Sequence, residues 1–225
     1  NFDENSSYYD KNNKSVHWCE MRIADTKNIC KRWLQYVMDP SKSGGKLYSY
    51  ILGINNSHIS KEEFDLSNEF NSVYNRFFRS AVLYAIKTFF SNQRVIVENI
   101  YHEEGQQQEH DYFPWHVIYK LGREDNIVFN CDRVTFLPKD HKIDKRSNAI
   151  QVCDCILGVT TSLIHGIEES NASHYREELL DFYSPLLNKM MNEPRNPNSS
   201  YGHHKRLLVR FFPKEKTFLG DYKRE

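Results

Sequence analysis

Asp154 lies in the stretch SNAIQVCDCILG, Ser147 to Gly158, where Ala149, Ile150, Val152, Cys153, Ile156 and Leu157 are small or apolar. Residues three and four apart share a helix face, so Asp154 lines up with Ile150, Leu157 and Thr161, on or beside an apolar stripe. A buried carboxylate without compensation is costly, or shifts its pKa until it is neutral. A cation, a set of backbone donors or a metal ion must therefore answer it. Glu98 is the second acid of interest. It ends VIVE, a run of β-branched aliphatics. Functional groups gather at the carboxyl ends of strands in open α/β sheets, although a lone Glu there also serves as an exit to solvent. Asp3 and Glu4, in FDEN, supply a third carboxylate from a polar terminus. Mg²⁺ or Mn²⁺ takes such oxygen ligands in near-octahedral geometry. Two of these ions about 4 Å apart activate a water and stabilise the leaving oxygen of a phosphodiester.

Other constellations are weaker. YHEEGQQQEHD (Tyr101 to Asp111) holds His102, Glu103, Glu104, Glu109, His110 and Asp111, ligand types for a transition metal. Its spacing fits no helical metal motif, and a solvated loop is the expectation. Lys139, His141, Lys142, Lys145 and Arg146 form a basic run just before the Asp154 helix. Lys142, Lys145 and Arg146 are the candidates for holding a nucleic-acid backbone. Ser147 either opens the helix or touches a phosphate, and Gln151 is grouped with it. His203, His204, Lys205 and Arg206 read as an exposed basic turn. GxGxxG, P-loop and GxSxG motifs are lacking, which argues against nucleotide kinases and α/β-hydrolases.

These residues need elements to position them. Val16 to Met21 (VHWCEM) and Leu47 to Ile54 have strand composition. The spacing of Ile29, Trp33, Leu34 and Val37 predicts a helix over 25–38, ended by Asp39-Pro40. Ser60 with Glu63 makes a capping box for a long helix reaching Phe90. Arg94 to Glu98 is a short strand. Tyr112 to Leu121 is a helix that tolerates Pro114 in its first turn and stops at Gly122. Ile127–Cys131 and Val134–Leu137 read as strand, broken at Asp132. Asn148 and Gln151 form a capping box for the Asp154 helix. Another helix covers 177–191, and LLVRFF (Leu207 to Phe212) is a late strand. The order βββαβαβα is that of the ribonuclease H fold, and other α/β folds share parts of it.

The 225 residues suit one domain with an elaboration, and 39% hydrophobic content supports a core. Thirty basic and thirty acidic residues cancel, so a polyanion would have to meet a local basic patch. Five cysteines without a CxxC pair suggest neither a disulfide framework nor a zinc ribbon. Cys153 and Cys155 read as packed thiols in a reducing compartment. No apolar run approaches the ~18 residues of a membrane span, and no signal peptide is visible. A cytoplasmic protein with no membrane partner is the expectation. A chain opening on Asn1 leaves room for upstream or internal segments.

RSNAIQVCDCILG resembles the closing motif of the domain of unknown function 3800 family, through Ser147, Gln151, Asp154 and Gly158. FDENSS looks like a degenerate form of that family's Asp-Glu-Ser-Gly opening, with Asn5 and Ser6 where Ser and Gly would fall. Lys14 and VHWCE, with Glu20, echo its Lys/Trp segment. VIVE matches its acid-ended strand, with Glu in place of Asp. The resemblance spans roughly residues 1 to 168. Two departures stand out. Only twelve residues separate Glu4 from His17, where the family places a second strand. Glu98 is also one carbon longer than Asp. The resemblance implies a ribonuclease H-like mixed sheet over 1–170, with a mainly helical extension over 171–225. It implies a metal-dependent nuclease with Asp3, Glu98 and Asp154 as catalytic acids on Mg²⁺ or Mn²⁺. The alternative is a catalytically inactive binding module of a defence or mobile-element system. Nucleic acid is the expected partner, with a homo-oligomer or larger assembly left open.

Overall fold

The computed structural model describes residues 15–38, 47–55, 70–90, 93–166, 174–192 and 207–212. In chain order they form a 3-10 turn at Trp18–Glu20, α1 (Ala24–Met38), β1 (Ser49–Ile54), α2 (Phe70–Phe90), β2 (Val95–Val97) and β3 (Tyr101–Glu103). Then follow α3 (Phe113–Leu121), β4 (Ile127–Phe129), β5 (Thr135–Leu137), α4 (Ser147–His165), α5 (His174–Asn192) and β6 (Leu207–Phe212). The class is mixed α/β, with short strands paired as β1–β6, β2–β4 and β3–β5. The Ser60/Glu63 cap, Asp3, Glu4, Lys14 and the 203–206 turn lie outside the described residues.

Two compact units share the chain. One comprises Asn1–Ile51, Lys139–Val209 and Lys214–Glu225; the other comprises Leu52–Pro138 and Arg210–Pro213. In the first, α1 turns Cys30, Trp33, Leu34 and Val37 inward, the i, i+3, i+4, i+7 stripe of an amphipathic helix. They meet Cys155, Ile156 and Val159 of α4 and Leu179 and Tyr183 of α5, with Val16 and Met21 filling the remainder. Lys27 Nζ lies 2.5 Å from Glu178 Oε2 and ties α1 to α5.

The second unit is built on a parallel βαβ arrangement. β2 pairs with β4 and β3 with β5, both parallel, and α3 makes the crossover between them. The offset between partners grows from 32 at Val97↔Phe129 to 34 at Tyr101↔Thr135. Two extra residues therefore loop out of the later strand, at the break expected around Asp132. Phe113, Val117, Ile118 and Leu121 of α3 pack with Ile100 and Val134, and Tyr74, Phe78, Val82 and Leu83 of α2 cover them. Pro114 sits in the first turn of α3, and the Gly122 N–H donates to the Ile118 carbonyl (2.8 Å).

The structure corrects several expectations. VHWCEM is not a strand: it runs extended through His17 (φ −118°, ψ 141°) and then turns into the 3-10 element. YHE, expected in a polar loop, is strand β3. Its His102 is half-buried among the rings of Tyr74, Phe78, Phe113 and Phe136. Nδ1 lies 2.6 Å from the Glu103 carbonyl and must donate; Nε2 then accepts from Tyr74 Oη at 2.7 Å. Both ring nitrogens are occupied, so His102 has none to offer a metal. The Asn148/Gln151 capping box does not form, because Arg146 is the cap position and Gln151 is used elsewhere. Cys153 is exposed rather than packed. Helix α4 is also long and apolar enough to cross a bilayer by length and composition, contrary to expectation. Its Gln151, Cys155, Ile156, Val159 and Thr160 are nevertheless buried within the unit.

Candidate functional site

The buried stripe of α4 runs through Gln151, Cys155 and Val159, and Asp154 borders it on a half-exposed edge beside the exposed Leu157 and Thr161. Asp154 does not stand idle there. Its Oδ2 accepts the backbone N–H of Trp18 at 2.8 Å. One turn earlier, Gln151 Oε1 accepts the backbone N–H of Val16 at 2.9 Å. The spacing explains the match. Alternate N–H groups of an extended segment point the same way, and residues three apart on a helix share a face. A Gln-x-x-Asp pair on α4 thus acts as the ladder partner of Val16-His17-Trp18.

The other side of the segment is held by α5. Arg176 Nε donates to the Trp18 carbonyl at 3.0 Å, its Nη2 donates to the Cys19 carbonyl, and the guanidinium lies over the indole. Trp18 Nε1 donates to Ser162 Oγ at 3.2 Å. Gly158 lets the indole settle on α4: a Cβ there would come within 2.1 Å of Trp18 Cγ. His17 Nδ1 lies 3.6 Å from Asp154 Oδ2, an ion pair whenever that ring is protonated.

Gln151 is 1% exposed and wholly engaged. Its Nε2 donates to the Lys139 carbonyl at 3.2 Å and lies 3.2 Å from His141 Nδ1. An amide nitrogen only donates, so His141 Nδ1 accepts and the ring is neutral. Burial holds the His141 pKa below its ordinary value; Lys142 and His17 add to the effect and Asp140 opposes it. An unfolded histidine titrates near pH ~6.5, so below that the unfolded chain binds more protons. This contribution to stability is complete above that pH and is lost as pH falls toward the depressed native pKa. Urea midpoints should therefore drop on acidification from about pH 7 to about pH 5. His141→Asn, which keeps an acceptor without the titrating ring, should flatten that profile.

The basic run before α4 is partly neutralised. Arg146 pairs with Asp144 at 2.6 Å, and this guanidinium holds the Asp144 carboxyl below its usual range. Lys142 and Lys145 are exposed. The first N–H groups of α4 are met locally: those of Ser147, Asn148 and Ala149 donate to the carbonyls of Asp144, Lys145 and Arg146. Ser147 is buried, and its hydroxyl has no hydrogen-bond partner among the described residues.

Glu98 belongs to the other unit. It is exposed and follows β2 directly, at the carboxyl end of the β2–β4 pair. Asn130 Nδ2, just past β4, donates to its Oε1 at 2.9 Å. Oε2 accepts no hydrogen bond among the described residues, and neither does Oδ1 of Asp154. Each acid thus keeps a hard oxygen available, which fits single-oxygen ligation of Mg²⁺ or Mn²⁺. No group of three or more His, Cys, Asp or Glu suited to a metal occurs among the described residues.

Sequence reasoning did not reach Arg176 or Asn130, and it met His141 only in the basic run and Trp18 only in the family resemblance. The one accessible signal was Gln151 and Asp154 three apart beside a buried stripe, a spacing able to receive an extended backbone. Set against family models, curated proteins and solved structures, the chain matches none of them.

Proposed function

We propose that the chain is a metal-dependent nuclease of ribonuclease H-like type, with Glu98, Asp154 and Asp3 or Glu4 as its carboxylates. The observation that carries the reading is Glu98. It is an exposed acid at the carboxyl end of a parallel βαβ strand pair, oriented by Asn130, with one oxygen uncommitted. Functional groups collect at that end of parallel strands. The resemblance of the Ser147–Gly158 stretch supports the same reading. Bound Mg²⁺ or Mn²⁺ would supply an activated water and neutralise the charge that develops on the phosphodiester. Asn130 fixes the Glu98 carboxylate, the Trp18 N–H fixes that of Asp154, and Lys142 and Lys145 offer charge to a phosphate backbone.

A second reading rests on Asp154 alone. Its hydrogen bond to Trp18 accounts for the carboxylate without an ion, as in an inactive binding module. Asparagine separates the two, because its side-chain oxygen still accepts the Trp18 N–H while the charge is gone. Asp154→Asn and Glu98→Gln should keep the wild-type melting profile. Each should weaken Mn²⁺ binding, read by titration calorimetry, and lower cleavage of a labelled oligonucleotide by about a hundredfold or more. Unchanged Mn²⁺ affinity in both variants would leave the binding-module reading standing.

A further inference from the structure

Helix α3 buries Phe113, Val117, Ile118 and Leu121, yet its opposite face is not the usual charged surface. Tyr112, Trp115 and Tyr119 stand 59%, 44% and 51% exposed. Spaced three and four apart, they form one row that continues to Arg123. Neighbouring ring centroids are 6.0 and 6.2 Å apart at 69° and 65°, so the rings meet edge to face and do not seal one another's faces. The row is held in place. Trp115 Nε1 donates to the Asp111 carbonyl at 3.0 Å. His110 Nδ1 accepts the N–H groups of Tyr112 and Phe113 at 3.1 and 3.2 Å and so caps the helix. Arg123 donates to Tyr119 Oη, and its guanidinium carbon lies 4.6 Å from that ring's centroid.

The charge around His116, beside the row, is positive. His116 packs against Trp115 and Tyr119. Its pKa is lowered, first by burial and then by Lys120, Arg79 and Arg123. None of these three cations is in an ion pair with a carboxylate among the described residues. Glu124, nearby, is taken by Lys87 at 2.6 Å.

We infer that the Tyr112–Trp115–Tyr119–Arg123 face of α3 is a stacking platform for single-stranded nucleic acid. Every base has a π-face, and base–aromatic stacking with arginine beside it needs no particular sequence. Unneutralised Arg79, Lys120 and Arg123 complement a phosphate backbone. A duplex hides its base faces, and a protein interface core tends to exclude lysine. The platform lies within one unit and does not depend on the proposed metal chemistry.

The test uses the full chain with EDTA present and a fluorescein-labelled oligothymidylate of about 20 nucleotides, read by anisotropy. Binding should weaken as salt rises, and Trp115 emission should be quenched. Trp115→Ala and Tyr119→Ala should each lower affinity between about fivefold and about a hundredfold. Trp115→Phe should retain most of it, and Arg123→Gln should shallow the salt slope. Circular dichroism should be unchanged, because the substituted rings face solvent. Absence of binding, or wild-type affinity in both alanine variants, overturns the inference. So does a duplex or a polyglutamate peptide bound as tightly through the same residues. Since EDTA prevents cleavage, failure here is distinct from failure of the Glu98 and Asp154 variants.

Discussion

Gly158→Ala should destabilise the first unit by about 2–4 kcal/mol, despite alanine's better helix propensity of about 1 kcal/mol. The added Cβ would stand 2.1, 2.4 and 2.6 Å from Cγ, Cδ1 and Cβ of Trp18. Carbon atoms pack at about 3.5–4.0 Å, so the indole must leave. It cannot shift slightly, because Asp154 holds the backbone N–H of Trp18, Arg176 the backbone carbonyl and Ser162 the indole N–H. Thermal unfolding followed by tryptophan emission should show the transition of this unit lowered by about 5–10 °C. Gly105→Ala is the control: nothing lies within 4 Å of a Cβ there, and its profile should match wild type. A Gly158→Ala protein as stable as wild type would mean that Trp18 does not rest on α4.

Gln151→Leu should cost a similar amount, about 2–4 kcal/mol, through a different cause. The shape is roughly kept, but the buried N–H of Val16 loses its acceptor, and the buried His141 Nδ1 and the Lys139 carbonyl each lose the amide that donates to them. Each unsatisfied buried group costs about 1–3 kcal/mol. Hydrogen exchange locates the effect. In the wild type the amides of Val16 and Trp18 should exchange slowly, as in a strand, although no strand among the described residues pairs with them. Gln151→Leu should release Val16 first. Asp154→Asn should leave Trp18 protected, and Asp154→Ala should not. Fast exchange at both amides in the wild type would refute the side-chain ladder.

The sequence was most readable where a local pattern and tertiary packing agree. Ile29, Trp33, Leu34 and Val37 announced α1, and Pro114 with Gly122 bounded α3, because capping and amphipathicity operate over a few residues. The question posed by Asp154 was also legible, since a carboxylate beside an apolar stripe demands a partner. Its answer was not, because that partner is a backbone amide 136 residues away, which no local window contains. Gln151 looked like a cap for the same reason: its tertiary bonds outcompete the local one. β3 was hidden by polar letters whose needs are met inside, as His102 shows between Tyr74 and the Glu103 carbonyl. The exposure of Trp115 and Tyr119 was not legible either. Aromatic composition says that a helix has apolar surface, and it does not say which part faces water.

The clasp on Val16 and Trp18 sets an order of events during translation. Gln151 is 135 residues downstream of Val16, and Arg176 is 158 residues downstream of Trp18. At about 5–20 residues per second, the ribosome needs roughly 7–30 s to make the acceptor for the Val16 amide. Until then the nascent Val16–Trp18 segment has α1 beside it but not the side chains that clasp it. The unit can close only after α5 has emerged, so Val16 and Trp18 are secured long after they are made.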